Sequence, residues 1–194
     1  MTCLVINCNH WIGYHIVNDL LEKGWEVDGL VNEQLNDSLS LYYGRNSNFS
    51  FYQSANKKHY DTKIHVGSMK RVEEVSADLS VVIHSVAPDH LHANDFFIKA
   101  PLLFGEWMPM TENGMYRNQL FIPFNSTYFL TEAVYIKDFM HAFMDWLEKD
   151  NKKGENKENK QIKLEKSAYL RDNIPIEEKL DHVLEHYHLN KEIY

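Results

Sequence analysis

Histidine serves as acid, base and metal ligand near neutral pH, and eleven histidines are spread along this chain. His84, His90 and His92 fall in one short stretch beside Asp89 and Asp95. Imidazole and carboxylate at this density make the donor set of a metal or small-molecule pocket. The same residues also fit a strand histidine followed by an ordinary loop. His182 and His186 are four apart on a helical pattern, with Glu178 one turn earlier, so they share a face and present a two-nitrogen clamp. The surrounding DHVLEHYH equally describes the wet side of an amphipathic helix. Trp107, Met108 and Met110 form a soft apolar segment of the kind that caps a pocket or anchors a partner. Cys3 and Cys8 lie on or beside one strand, where they are poorly placed to bridge, and two buried thiols suit a reducing cytoplasm.

The elements that must position these groups follow from periodicity. Cys3 to Ile6 is a continuous apolar run, as in a strand buried on both faces. A polar turn, Asn7-Cys8-Asn9-His10, leads into Ile12, Ile16, Val17, Leu20 and Leu21 at helical spacing, stopped at Lys23-Gly24. Residues 25–31 read as a second strand. Strand, turn, helix, glycine and strand make a right-handed parallel unit the expected topology. Residues 32–62 are polar and irregular. Within and beyond them, residues 48–52 and 61–66 are rival candidates for the third parallel strand, and Tyr42, Tyr43, Phe49, Phe51 and Tyr52 fit an edge strand packed on the core. Met69 to Leu79 suggests a short helix, Ser80 to Val86 the next buried strand, and Phe96 to Ala100 another. Residues 133–136 suggest a strand and 137–149 a helix, with Asp138 near its N-terminus, where the dipole favours an anion. Residues 150–161 (DNKKGENKENKQ) are a charged linker. Ile162 to Leu164 suggest a strand, and Pro175 opens a last helix with Leu180, Val183, Leu184 and Tyr187 on its apolar face.

Length and charge narrow the classes. A chain of 194 residues fits one domain with a small appendage. The expected organisation is a nucleotide-binding-type domain over 1–149, the linker over 150–161, and a C-terminal extension over 162–194 packed on the same domain. A net charge of −8 repels phosphate backbones and anionic lipid, so neither nucleic acid nor a membrane is expected as partner. No apolar stretch approaches the roughly 20 residues of a membrane span, and no signal peptide is visible.

Four segments, in order, resemble the extended short-chain dehydrogenase/reductase family, the NAD-dependent epimerase/dehydratase group. LVINCNHWIGYHIVNDLLEKGWEVDGLV is similar to its strand, T-G-x-x-G-x-x-G turn, helix and second strand. SVVIHSVAP is similar to its fourth strand, PLLFGEWMPM to its R-x-x-x-x-Y-G-P segment, and TEAVYIKDFMHAF to its V-x-V-x-D-x-A-x-A segment. The resemblance implies an α/β, Rossmann-like, parallel-rich sheet with helices on both faces, and NAD or NADP as cofactor. It implies cofactor contacts from Asn7, Asn9, His10, Trp11, Ile12 and Gly13 in the turn, Asn32 after the second strand, and Ser85 and Ala87 after the fourth.

The departures bear on function. The family's first glycine makes the tight bend, the second lets backbone approach pyrophosphate, and the third lets helix and strand pack closely. Here they fall on Asn7, His10 and Gly13, so the packing role survives. His10 either donates to phosphate or blocks it. The ribose-binding acid is replaced by Asn32, which can contact a ribose hydroxyl or simply open a loop, and Asp28 lies too early in the strand. The family's Tyr-x-x-x-Lys pair has no room between Ala87 and Phe97. Tyr187 and Lys191 alone have that spacing, on the last helix, where packing and a solvated lysine explain them.

The expectation is therefore a non-catalytic binding or regulatory protein with weak or lost dinucleotide binding, working with a protein partner or a second copy of itself. The alternatives are an NAD(P)-dependent oxidoreductase or epimerase with a rebuilt site, drawing on His84, His90 or Tyr128, and a structural subunit of a full-length relative.

Overall fold

The computed structural model describes residues 1–32, 37–54, 58–67, 75–87, 91–92, 95–150, 161–162 and 174–194. In chain order the elements are β1 (Thr2–Ile6), α1 (Trp11–Glu22), β2 (Glu26–Leu30), a 3-10 turn (Asp37–Leu39), α2 (Ser40–Tyr43), β3 (Phe49–Phe51), β4 (Tyr60–Val66), β5 (Ala77–His84) and β6 (Asp95–Lys99). They continue with β7 (Leu102–Phe104), β8 (Met110–Thr111), β9 (Gly114–Arg117), β10 (Leu120–Pro123), α3 (Thr127–Glu132), β11 (Ala133–Tyr135), α4 (Ile136–Asp150), β12 (Gln161–Ile162) and α5 (Ile176–Leu189). The chain divides into two compact units, Met1–Ala100 with Met144–Lys163, and Pro101–Phe143 with Leu164–Tyr194. These boundaries differ from the expected division at 149 and 161. The charged run there marks a change of composition, whereas the chain changes unit inside α4. Residues 151–160 of the expected linker lie outside the described residues.

The first unit is built on a seven-stranded sheet in the order β12-β6-β5-β4-β1-β2-β3, with every neighbouring pair parallel. Helices lie on both sides. Taken from β3 to β6, this is the doubly wound order of the Rossmann fold, with its switch point between β1 and β4. β1 is buried from Cys3 to Ile6, as its unbroken apolar run requires. α1 buries Ile16, Val17, Leu20 and Leu21 and stops where Gly24 takes φ 76°, a conformation that costs other residues more. Leu4, Ile6 and Tyr60 form one core cluster, against which Leu30, Tyr52, Val75 and Ala77 pack.

Both rival third-strand segments are strands. Phe49–Phe51 is the edge beside β2, and Tyr60–Val66 runs beside β1 on the other side. It follows that Ser80–His84, the start of SVVIHSVAP, belong to the fifth strand, separated from β1 by β4. The expected helix over 69–79 is not formed at its end, where Ala77–Leu79 open β5 and Leu79 pairs with Thr62. Its residues up to 74 lie outside the described set.

The second unit contains a parallel pair, β7 with β11, and an antiparallel meander, β10-β9-β8. Ser126 caps α3, its hydroxyl accepting the Phe129 N–H at 3.2 Å. Phe104, Phe124 and Phe129 meet edge to face at 5.1–5.2 Å, the preferred geometry for buried rings. Gly105 is required because a Cβ there would overlap the Ile136 side chain.

Candidate functional site

In a parallel sheet of this order, ligands bind at the carboxyl ends of the strands, at the switch point. Asn7 stands there. It follows β1 with φ 60°, the left-handed bend that a glycine makes most readily and asparagine tolerates. Its Nδ2 donates to the Val66 carbonyl at 2.6 Å, so one side chain ties the ends of β1 and β4 together across the switch point. Gly67, missed in the sequence, follows at φ 82°. The local signal was a glycine directly after the apolar end of a strand.

The rest of the turn is anchored from three sides. The Cys8 N–H donates to the Leu30 carbonyl at 3.1 Å, and the Tyr43 hydroxyl donates to the Cys8 carbonyl at 2.8 Å. Asn9 and Asn32 bond reciprocally: Asn9 Nδ2 donates to the Asn32 carbonyl at 2.9 Å, and Asn9 Oδ1 accepts the Asn32 N–H at 2.8 Å. Asn32 thus holds the second strand's exit loop onto the turn. Gly13 packs against the turn so closely that a Cβ would overlap the Asn7 carbonyl oxygen, with Cys8 Cα at 3.1 Å. The close-packing role expected of the third glycine is carried by Gly13.

His10 is the N-cap of α1, and its Nδ1 accepts the Ile12 N–H at 3.2 Å. The first N–H groups of a helix have no partner within it and would otherwise face an anion. Here one of them is taken by imidazole. An accepting Nδ1 carries no proton, so a neutral ring has its proton on Nε2. Burial, and then the neighbouring His84, push the His10 pKa down to about 4. At neutral pH the residue therefore brings no positive charge to the helix end.

Of the expected cofactor-binding residues, Asn7, Asn9, His10, Trp11, Ile12, Gly13 and Asn32 come together in this turn and its bonded loop. Ser85 and Ala87 follow β5 rather than the strand beside β1. His84, which ends β5, has its Nδ1 at 2.7 Å from the Val86 carbonyl and 3.1 Å from the Val86 N–H, and lies within electrostatic reach of His10.

The two histidine groups are spread apart among the described residues. In the β5–β6 register Ser80 faces Asp95 and His84 faces Lys99, so His84 and Asp95 stand at opposite ends of the strands, roughly 13 Å apart along them. Asp95 is buried and accepts from the Ser80 hydroxyl at 2.6 Å and the His92 N–H at 3.1 Å. Asp89 and His90 lie outside the described residues. On α5, the His186 Nδ1 lies 2.8 Å from the Tyr194 hydroxyl, whereas Glu178 and His182 are exposed. No group of three metal-ligating side chains is found among the described residues.

In the Trp107 segment the methionines pack inward rather than standing exposed as partner anchors. Met108 and Met110 are core residues, and the Met108 sulfur accepts the Gly105 N–H. Trp107, at φ 67°, stacks on Tyr194 at 5.3 Å and donates its backbone N–H to the Tyr194 hydroxyl at 2.8 Å. Tyr187 is buried and Lys191 pairs with Glu112 at 2.9 Å. Tyr128 is half exposed on α3.

A charged network in the second unit went unread in the sequence. Lys179 donates to Asp138 at 2.6 Å with both side chains largely buried. Glu106 accepts from the Tyr135 hydroxyl and from Lys137, each at 3.0 Å, and the Tyr135 ring has Lys137 and Lys179 near its face. Burial and the adjacent Glu106 push the Tyr135 phenol up to about 12, making it a poor proton donor at neutral pH.

No helix among the described residues is long and apolar enough to cross a membrane. No protein-family model and no curated protein matches the chain. Among solved structures, Gre2 from Candida albicans superimposes with a TM-score of 0.48 at 11% identity, over 84% of this chain and 77% of the other. Its complex with NADPH gives 0.47 at the same identity and coverage. Yeast methylglyoxal/isovaleraldehyde reductase Gre2, complexed with NADPH, gives 0.31 at 13% identity, over 84% of this chain and 52% of the other.

Proposed function

We propose that this chain is, at its dinucleotide site, a non-catalytic binding or regulatory protein of the cytoplasm, built on a Rossmann-like scaffold derived from NAD-dependent epimerases/dehydratases, in which dinucleotide affinity is weak or lost. The observation that carries the reading is His10. Its ring caps the helix end that would hold pyrophosphate, and its depressed pKa keeps it neutral. The Asn7 amide supports the same reading, since it places a side chain across the ends of β1 and β4 where glycine would leave backbone alone. The scaffold then serves a protein partner or a second copy of the chain.

The test is a calorimetric titration with NAD⁺, NADH, NADP⁺ and NADPH, cross-checked by quenching of Trp11 in the turn. The expected result is no saturable binding at millimolar ligand, with a gain of affinity in His10→Gly. Micromolar binding by the unaltered chain would overturn the proposal. It would favour a second reading, an NAD(P)-dependent oxidoreductase with a rebuilt site, for which the neighbouring imidazoles of His10 and His84 at the strand ends are the supporting observation. A hydride-transfer assay then decides between binding alone and turnover.

A further inference from the structure

We propose that Ser76, His59 and Asp78 form an acyl-transfer triad, a second chemical site at the amino-terminal edge of the parallel sheet. Tyr60 pairs with Ala77, and the Tyr60 N–H donates to the Ser76 carbonyl at 3.1 Å. This register sets His59, just before β4, beside Ser76 and Asp78, which are two residues apart and so point to one side of their strand. His59 Nδ1 lies 2.9 Å from Ser76 Oγ, and His59 Nε2 lies 2.9 Å from Asp78 Oδ1.

The carboxylate fixes the tautomer. An ionised carboxylate only accepts hydrogen bonds, so Nε2 carries the ring proton and donates it to Asp78. The lone pair on Nδ1 is then free to accept the Ser76 hydroxyl. The line acceptor–imidazole–hydroxyl is the arrangement that activates a serine, recognised by geometry and roles rather than by chain order. His59 and Asp78 are 55% and 70% exposed, so a reagent in solution reaches them. This open position suits small activated esters.

In the reaction, Ser76 Oγ forms a bond to the acyl carbon and its proton passes to His59 Nδ1, while Asp78 holds the imidazolium through Nε2–H. The ester's alkoxide leaves with the Nδ1 proton. Water then attacks the acyl-serine, giving its proton to Nδ1, and Ser76 Oγ departs and recovers that proton. The sum is ester plus water to acid plus alcohol. With a fluorophosphonate the Ser76 O–P bond forms, P–F breaks and fluoride leaves, so the adduct is stable.

The experiment treats the full chain with a fluorophosphonate, maps the adduct by peptide mass spectrometry, and follows 4-nitrophenyl acetate in parallel. The expected result is labelling at Ser76, lost in Ser76→Ala and slowed about 100-fold in His59→Gln. Asp78 is a positioning residue. Asp78→Asn should lower the rate because an amide N–H donated to Nε2 moves the ring proton to Nδ1, and Asp78→Glu should restore it. Circular dichroism checks that each variant is folded. Absence of an adduct on Ser76 would overturn the proposal, as would an unchanged labelling rate in folded His59→Gln.

Discussion

At the scale of single residues, His10 ties the turn's chemistry to the stability of the fold. Its pKa is depressed from 6.5 to about 4 in the folded chain. The unfolded chain therefore binds a proton first as pH falls, and His10 withdraws stability from about pH 7 downward until the loss is complete below about pH 4. The full effect is about 3 kcal/mol. Asparagine is a good N-cap that does not titrate. In urea unfolding, His10→Asn should match the parent near about pH 8 and exceed it by roughly 1–3 kcal/mol near about pH 4.5. A constant difference across that range would show that His10 is not the linked group. Thr62 offers a second residue-scale test. Its buried hydroxyl has no hydrogen-bond partner among the described residues, so Thr62→Val should hold or raise stability, by about 1 kcal/mol, in the same assay.

At the scale of elements, α4 and α5 are joined in the second unit by the Lys179–Asp138 pair. Removing one partner of a largely buried pair leaves the other charge without compensation. Lys179→Met should cost about 3–5 kcal/mol, and adding Asp138→Leu should recover most of it. Equal losses for the single and double variants, measured by thermal unfolding, would argue against the pair as the tie. The elements themselves were largely legible. The opening β-α-β unit, β6, α4 and α5 carry strong local periods, and Asn7 to Gly13 are contiguous, so the turn could be read directly. The numbering of the central strands was not legible, because two short segments competed for one place and both proved to be strands. The meander was missed since strands of two to four residues are too short to show alternation. Met108 and Met110 looked like a surface loop because flanking glycines and prolines mark turns without saying what the turn covers. The placement of His84 and Asp95 was not legible either, as closeness in sequence does not reveal which end of a strand each residue occupies.

At the scale of the whole molecule, each unit draws on two separate stretches of chain. The sheet of the first unit needs the end of α4, where Met144 and Leu147 are buried and Trp146 meets Phe96 at 6.2 Å. A fragment of residues 1–100 should therefore bind a hydrophobic dye and melt without a sharp transition, in contrast to the full chain. A fragment with a cooperative melt equal to the full chain's would show that the sheet is complete without those residues. The same path sets a schedule during synthesis. At about 5–20 residues per second, the first hundred residues wait roughly 3–12 s for β12 to emerge. Throughout that interval β6 is an open edge on a newborn chain, its unpaired backbone a template for another strand until β12 covers it.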